Sequence, residues 1–136
     1  MGLVFEYTPF RDLTALQDLE SKKYISLETY KKNTQSVKTP VWFVINSELL
    51  YVVTREKTGK VKRIKNNPSV KIALCTFRGK PTGEWMPGHA LRMDGEESKT
   101  AIKLRNKKYG FMAKVAGFAS RGKGDLVVFS IKLDSN

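Results

Sequence analysis

The run Thr54–Arg55–Glu56–Lys57–Thr58–Gly59–Lys60–Val61–Lys62–Arg63 concentrates residue types that hold phosphate. Thr58 stands where a helix would be capped, which places Lys60 in the first turn of that helix. The helix dipole already puts partial positive charge there, and a bare cation at an exposed site costs about 0.3–1 kcal/mol. An anion docked at the helix start removes the conflict. Free backbone N–H groups, the Thr58 hydroxyl, Arg55 and Lys60 would together hold a phosphate, with Arg63 one turn further on. Gly59 would let the ligand come close to the backbone. A solvated basic helix, partly compensated by Glu56, accounts for the same residues, and physics alone leaves both readings open. The run is not a P-loop, because the required glycine–lysine spacing is absent.

A second feature precedes it, Thr39–Pro40–Val41–Trp42–Phe43. Proline at the start of a strand cannot donate to the ladder and leaves backbone groups unpaired. A planar heteroaromatic ring with carbonyls and ring nitrogens could take up those groups. A core strand that merely begins with proline needs no ligand, and taken alone the segment favours that simpler account.

Other chemistries find little support. His89 is the single histidine and Cys75 the single cysteine. A zinc site or a histidine-based triad therefore lacks its partners. His89 reads as a structural or surface residue beside a glycine bend, and Cys75 as inert core in an apolar strand. The net charge of +12 implies an anionic partner: nucleic acid, an acidic membrane surface, or a cofactor bearing phosphate and carboxylates. A basic nucleic-acid-binding module is the rival from another class, with Trp42, Trp85 and the tyrosines as stacking groups. Against it, the aromatics sit mostly in apolar strands and no nucleic-acid-binding motif is present.

The elements that must position these residues follow from periodicity. The 136 residues fit one domain, residues 1–136, with enough aromatic and aliphatic side chains for a core. Nothing at the N-terminus reads as a signal peptide, and the longest apolar run, Val41 to Ile45, is too short to span a bilayer. The expectation is a soluble cytoplasmic protein without a membrane partner. A helix is predicted over Asp12–Ser21, with Leu13, Leu16 and Leu19 in register. Strands follow over Tyr24–Tyr30, Val37–Ile45 and Leu49–Thr54, the last two joined by a hairpin turn at Asn46–Ser47–Glu48. A helix over Thr58–Asn66 stops before Pro68. Strands over Val70–Phe77 and Thr82–Asp94 come next, the latter broken near Pro87–Gly88. Helices over Glu96–Tyr109 and Phe111–Ser120 precede a final strand, Leu126–Leu133. The sum is α+β, with six antiparallel strands that suffice to close a small barrel flanked by helices.

The order and spacing of Thr39–Pro40–Val41–Trp42–Phe43, a hairpin, Thr54 through Lys60–Ile64 and Asn67–Pro68–Ser69–Val70 resemble the pyridoxamine 5'-phosphate oxidase-like superfamily. More narrowly they are similar to its small flavin/deazaflavin oxidoreductases, most of which use coenzyme F-420. Arg78–Gly79, Gly83–Glu84–Trp85 and Gly88–His89–Ala90 fit that branch, and the likeness runs from about Tyr24 to Asp94. It implies a six-stranded Greek-key split barrel and a homodimer with two cofactors in grooves between the subunits. It also implies that Thr39, Pro40, Val41 and Trp42 border the ring while Thr54, Arg55, Thr58, Gly59 and Lys60 hold the phosphate. Some relatives carry Ser-Arg-Lys where this chain has Thr58–Gly59–Lys60, so the middle arginine is lost. The implied activity is hydride transfer from reduced F-420 to an electron-poor small molecule such as an enone or quinone. An FMN-binding protein of the same fold, with or without turnover, is the alternative. The surplus of Lys57, Lys62, Arg63, Lys65 and Lys103–Lys108 suits the anionic tail of F-420.

Overall fold

The computed structural model describes residues 16 and 19–134. Its elements are β1 (Ile25–Tyr30), β2 (Ser36–Val41), β3 (Val44–Asn46), β4 (Leu49–Arg55), α1 (Gly59–Asn66), β5 (Ser69–Leu74), β6 (Met86–Met93), α2 (Gly95–Tyr109), α3 (Phe111–Ser120), a 3-10 turn (Arg121–Lys123) and β7 (Leu126–Leu133). The strands form one antiparallel, curled sheet in the order β2-β1-β5-β6-β7-β4-β3. The architecture is α+β, as the periodicity predicts. The strand count is seven rather than six, and the sheet is open rather than a closed barrel.

The extra strand arises because the predicted Val37–Ile45 strand breaks at Trp42–Phe43 into β2 and β3. The buried Tyr109 hydroxyl accepts the Phe43 N–H at 3.0 Å, and Lys108 Nζ donates to the Phe43 carbonyl at 3.0 Å. Side chains of α2 therefore replace the ladder at this point, which lets the chain turn from one edge of the sheet to the other. The β3–β4 hairpin closes through Ser47 and Glu48, both in the left-handed region at φ 51° and 68°, as a two-residue hairpin turn requires.

Two departures concern the predicted Thr82–Asp94 strand. Pairing starts only at Met86, and the ladder then runs through Pro87 and Gly88 without the expected break. Gly88 is needed for close packing, since a Cβ there would lie 2.7 Å from the Lys132 carbonyl oxygen. The Val70–Phe77 strand is likewise shorter, Ser69–Leu74. Of the predicted first helix, Leu16, Leu19 and Glu20 are helical, while Asp12 and Leu13 lie outside the described residues.

Alternation along β4 and β7 builds two apolar layers. Leu50, Val52, Val127, Phe129, Ile131 and Leu133 enter the larger one with Ile25, Leu27 and Ile72, covered by Val61 and Ile64 of α1 and by Leu16 and Leu19. Tyr51 and Val128 point the other way, against Ala101 and Tyr109 of α2 and Ala113 of α3. Two-sided burial explains why β4 and β7 read as nearly continuous apolar runs. Among the described residues no helix is long and apolar enough to cross a membrane.

Candidate functional site

The end of β2, the end of β4, the start of α1 and the C-terminal half of α3 meet around an open cleft of about 340 Å³. Of the residues singled out in the sequence, Pro40, Val41, Trp42, Thr54, Arg55, Thr58 and Lys60 line it. Thr39 does not; it pairs with Leu27 in the β1–β2 ladder. Gly59 and Arg63 face a separate cavity of about 330 Å³ beside Lys31, Lys32 and Lys62.

The reason lies in α1 itself. Gly59 and Arg63 are four residues apart and share a helix face. The Arg63 guanidinium fills the notch over Gly59, where a Cβ would come within 2.5 Å of Nη1. Its Nε donates to the buried Thr29 hydroxyl at 2.7 Å. The expected role for Gly59, close approach by a ligand, is taken in this structure by Arg63. Thr58 occupies the N-cap position but makes no side-chain cap hydrogen bond, donating instead to the Arg55 carbonyl at 2.9 Å. The first turn of α1 therefore keeps N–H groups without a capping acceptor, and it contains no acidic residue.

Arg55 is fixed from three sides. Nε donates to Ser120 Oγ at 3.0 Å, Nη1 to the Gly124 carbonyl at 3.0 Å and Nη2 to the Gly117 carbonyl at 2.8 Å. A guanidinium carries five N–H donors, so two are left for the cleft. Arg55 therefore ties the end of α3 to the end of β4 and also contributes positive charge to the site.

Two further cations that sequence reasoning did not single out, Arg105 of α2 and Lys123 of the 3-10 turn, complete the lining. Arg105 belongs to the basic Lys103–Lys108 segment, but only the fold reveals which of that run turns inward. Among the described residues no acidic side chain lines the cleft. Burial lowers the pKa of Lys60, and the charges of Arg63 and Lys123 lower it further. Arg105 is lowered by burial and then by Arg55. Among the described residues Lys60 makes no ion pair.

Side-chain contacts brace the wall that Trp42 forms. Trp42 stacks on Tyr109 with ring centroids 4.2 Å apart and planes 9° from parallel. The single Tyr109 proton is shared between the carbonyls of Lys23, at 2.8 Å, and Phe43, at 3.1 Å. Burial pushes the Tyr109 phenol up to about 12 and the Lys108 amine down to about 8. Pro40 pairs with Ser26 on β2, which is an edge strand, so its missing N–H costs the sheet no ladder bond on the open side.

His89 and Cys75 stay outside the cleft. His89 Nδ1 lies 2.8 Å from Asp134 on the surface of β6. Cys75 is half-buried, and burial raises its thiol pKa. Among the described residues no group of three or more His, Cys, Asp and Glu side chains is placed to hold a metal ion.

No protein-family profile matches the chain, and no curated protein matches it in sequence. Solved structures do. HutZ, the heme storage protein from Vibrio cholerae, superposes with a TM-score of 0.68 at 14% identity, over 93% of this chain and 90% of that one. A putative pyridoxamine 5'-phosphate oxidase from Listeria innocua gives 0.60 at 15% identity, over 90% and 93%. An F420 reductase gives 0.57 at 19% identity, over 87% and 92%. At these identities the likeness establishes the fold: the chain adopts the pyridoxamine 5'-phosphate oxidase-like split-barrel fold.

Proposed function

We propose that the chain is a flavin- or deazaflavin-dependent oxidoreductase whose cofactor phosphate binds at the start of α1. The observation that carries this reading is the convergence of Arg55, Lys60, Arg105 and Lys123 on one cleft with no acidic residue among its described lining. Burial depresses Lys60 and Arg105, and neighbouring cations (Arg63 and Lys123 for the first, Arg55 for the second) depress them further, so a bound anion would relieve both. The donor set fits a phosphate: two guanidinium groups, two ammonium groups, the Thr54 and Thr58 hydroxyls and an uncapped helix start. When bound, such a cofactor supplies the hydride chemistry, reduction of an electron-poor double bond in a small molecule such as an enone or quinone.

The rest is the work of this chain's own residues. Lys60 and the α1 N–H groups would hold the phosphate, with Arg55 keeping α3 in place beside it. Pro40, Val41 and Trp42 would border the ring, and the Trp42–Tyr109 stack fixes that border. A second copy of the chain would close the open side, as a homodimer with cofactor between the subunits. The protein would be cytoplasmic.

Coenzyme F-420 is favoured over FMN, the alternative, because its glutamate tail can also meet Arg105 and the basic face of α2. A heme is disfavoured: among the described residues no His, Cys or Met lines the cleft, and Tyr24 is the one axial-ligand type in that lining. A nucleic-acid module is disfavoured because Trp42, its best stacking group, is already stacked on Tyr109. Titrating each cofactor against rising salt tests the proposal. F-420 should bind more tightly than FMN, and its affinity should fall more steeply with salt. Equal slopes with tighter FMN binding would reverse the choice, and no binding of either would overturn the reading.

A further inference from the structure

Gly59, Lys62, Arg63 and Asn66 stand at i, i+3, i+4 and i+7 of α1 and share one helix face, a different face from the one that carries Lys60 to the cleft. Across from it the chain turns from β1 to β2 at Lys31–Gln35. The Lys31 N–H donates to the Gln35 carbonyl and the Thr34 N–H to the Lys31 carbonyl, both at 2.9 Å, so the turn has a fixed backbone. It brings Lys31 and Lys32 to the cavity of about 330 Å³ that the α1 face lines.

The guanidinium in this cavity is not a loose surface charge. Arg63 Nε donates to Thr29, a fully buried hydroxyl on β1, at 2.7 Å, and Nη1 fills the notch over Gly59. The Thr29 contact uses Nε and leaves the fork of terminal N–H donors, whose geometry matches phosphate and carboxylate oxygens. Among the described residues Lys31, Lys32, Lys62 and Arg63 make no ion pair, and no acidic side chain lines the cavity.

The lining narrows the kind of anion. Four cations around about 330 Å³ call for several negative charges in a small volume, which an oligophosphate carries and a single carboxylate does not. No aromatic or aliphatic side chain is in the described lining, so nothing there would stack on a base or bury a ring. The cleft differs in this respect, since Pro40, Val41 and Trp42 stand beside its cations.

We infer that this cavity is a second anion site, which takes an oligophosphate group through Arg63, Lys31, Lys32 and Lys62. A second copy closing the open side of the cleft would meet the Lys60 side of α1, whereas Gly59, Lys62, Arg63 and Asn66 face the β1–β2 turn of their own chain. The site does not depend on which cofactor the cleft takes.

Amide NMR of the full, cofactor-free chain, titrated with sodium tripolyphosphate at constant ionic strength, is the test. The amides of Lys31, Lys32, Lys62 and Asn66 should shift saturably, and sodium sulfate at the same ionic strength should not reproduce the shifts. Lys31→Gln with Lys32→Gln should weaken this binding roughly tenfold or more, because two charge-assisted contacts are lost. Arg63→Lys, which keeps the charge but loses the fork and the Thr29 contact, should weaken it too, while Lys60→Met should leave it unchanged. ATP without magnesium distinguishes the source: shifts at the same amides assign the site to a nucleotide's phosphate chain, and their absence assigns it to inorganic oligophosphate. No saturable shift with tripolyphosphate overturns the inference, as do shifts confined to Thr54, Arg55, Thr58 and Lys60, equal shifts with sulfate, or unchanged affinity in both the double variant and Arg63→Lys. Tighter binding of γ-linked triglutamate at these amides would also overturn it, because carboxylates would then be the ligand. So would an oligonucleotide that binds there and that tripolyphosphate cannot displace. Sedimentation velocity and thermal unfolding of each variant accompany the titration. A wild-type dimer that dissociates on Lys31→Gln with Lys32→Gln would make the lysines a contact between chains and overturn the inference as well.

Discussion

Replacing Lys60 with Met should separate function from stability, because the two effects have opposite signs. The substitution keeps the aliphatic stem and removes only the ammonium group. In the protein that ammonium is half-buried, lies near Arg63 and Lys123, and has no ion-pair partner among the described residues. Its removal relieves repulsion, so thermal unfolding of the cofactor-free variant should be unchanged or move upward. In the complex the same ammonium would make a charge-assisted hydrogen bond to phosphate, contributing about 1.5–3 kcal/mol. At about 1.4 kcal/mol per decade, the variant should bind F-420 or FMN roughly 10- to 150-fold more weakly. The wild-type complex should also show proton uptake at alkaline pH. A bound phosphate raises the depressed Lys60 pKa, so affinity falls as pH rises through its value in the free protein. Fluorescence titration at several pH values reads the affinity, and calorimetry in buffers of different ionisation enthalpy reads the proton. An unchanged dissociation constant, or a marked fall in the unfolding temperature, would refute the assignment of Lys60 as a ligand-facing cation.

Further predictions rest on the walls of the cleft. Arg55→Met removes three hydrogen bonds that hold the end of α3, so the variant should lose about 1.5–3 kcal/mol by denaturant unfolding, and an undiminished stability would deny Arg55 that anchoring role. Tyr109→Phe keeps the stack on Trp42 but strands the Phe43 N–H, costing about 1–3 kcal/mol, and hydrogen exchange at the Phe43 amide should rise well above that of its β4 neighbours. For pH, Lys108 holds its proton to about 8 when folded against 10.5 when unfolded, so the unfolded chain binds more protons in that window and stability should rise with pH there. Tyr51, raised to about 12 by burial and then by its hydrogen bond to Glu97, and Tyr109, also at about 12, reverse the sign above their ordinary value of 10.0. Urea midpoints should therefore climb from pH 8 and decline above pH 10; a flat profile would mean that these groups do not titrate differently on folding.

Much of this arrangement could be read from local pattern, and what could not depends on contacts far apart in the chain. Helices α1, α2 and α3 and strands β4 and β7 lie within a residue or two of their predicted bounds, because period and turn residues agree at each. The break at Trp42–Phe43 is not visible in local pattern because Val41–Ile45 is apolar throughout. What interrupts the ladder is Tyr109, 66 residues away. The proposed anion site at Thr54–Lys60 is legible as a conflict between a cation and a helix start. That Gly59 and Arg63 belong to each other is not, since a basic stripe does not say which member turns back over a glycine. Arg105 is one of several cations in its run, and no local pattern sets Lys123 apart from the other lysines. Only the packing of α2 and the end of α3 brings them to the cleft.

Whether the cleft at the start of α1 takes the cofactor phosphate is tested most directly by two-dimensional amide NMR of the labelled protein during titration with F-420 or FMN. Saturable shifts should concentrate at Thr54, Arg55 and Thr58–Val61, with the Trp42 indole and Ser120 moving alongside. Shifts confined to Lys31, Lys32 and Lys62 at the separate basic cavity, or no shifts with either cofactor, would contradict it.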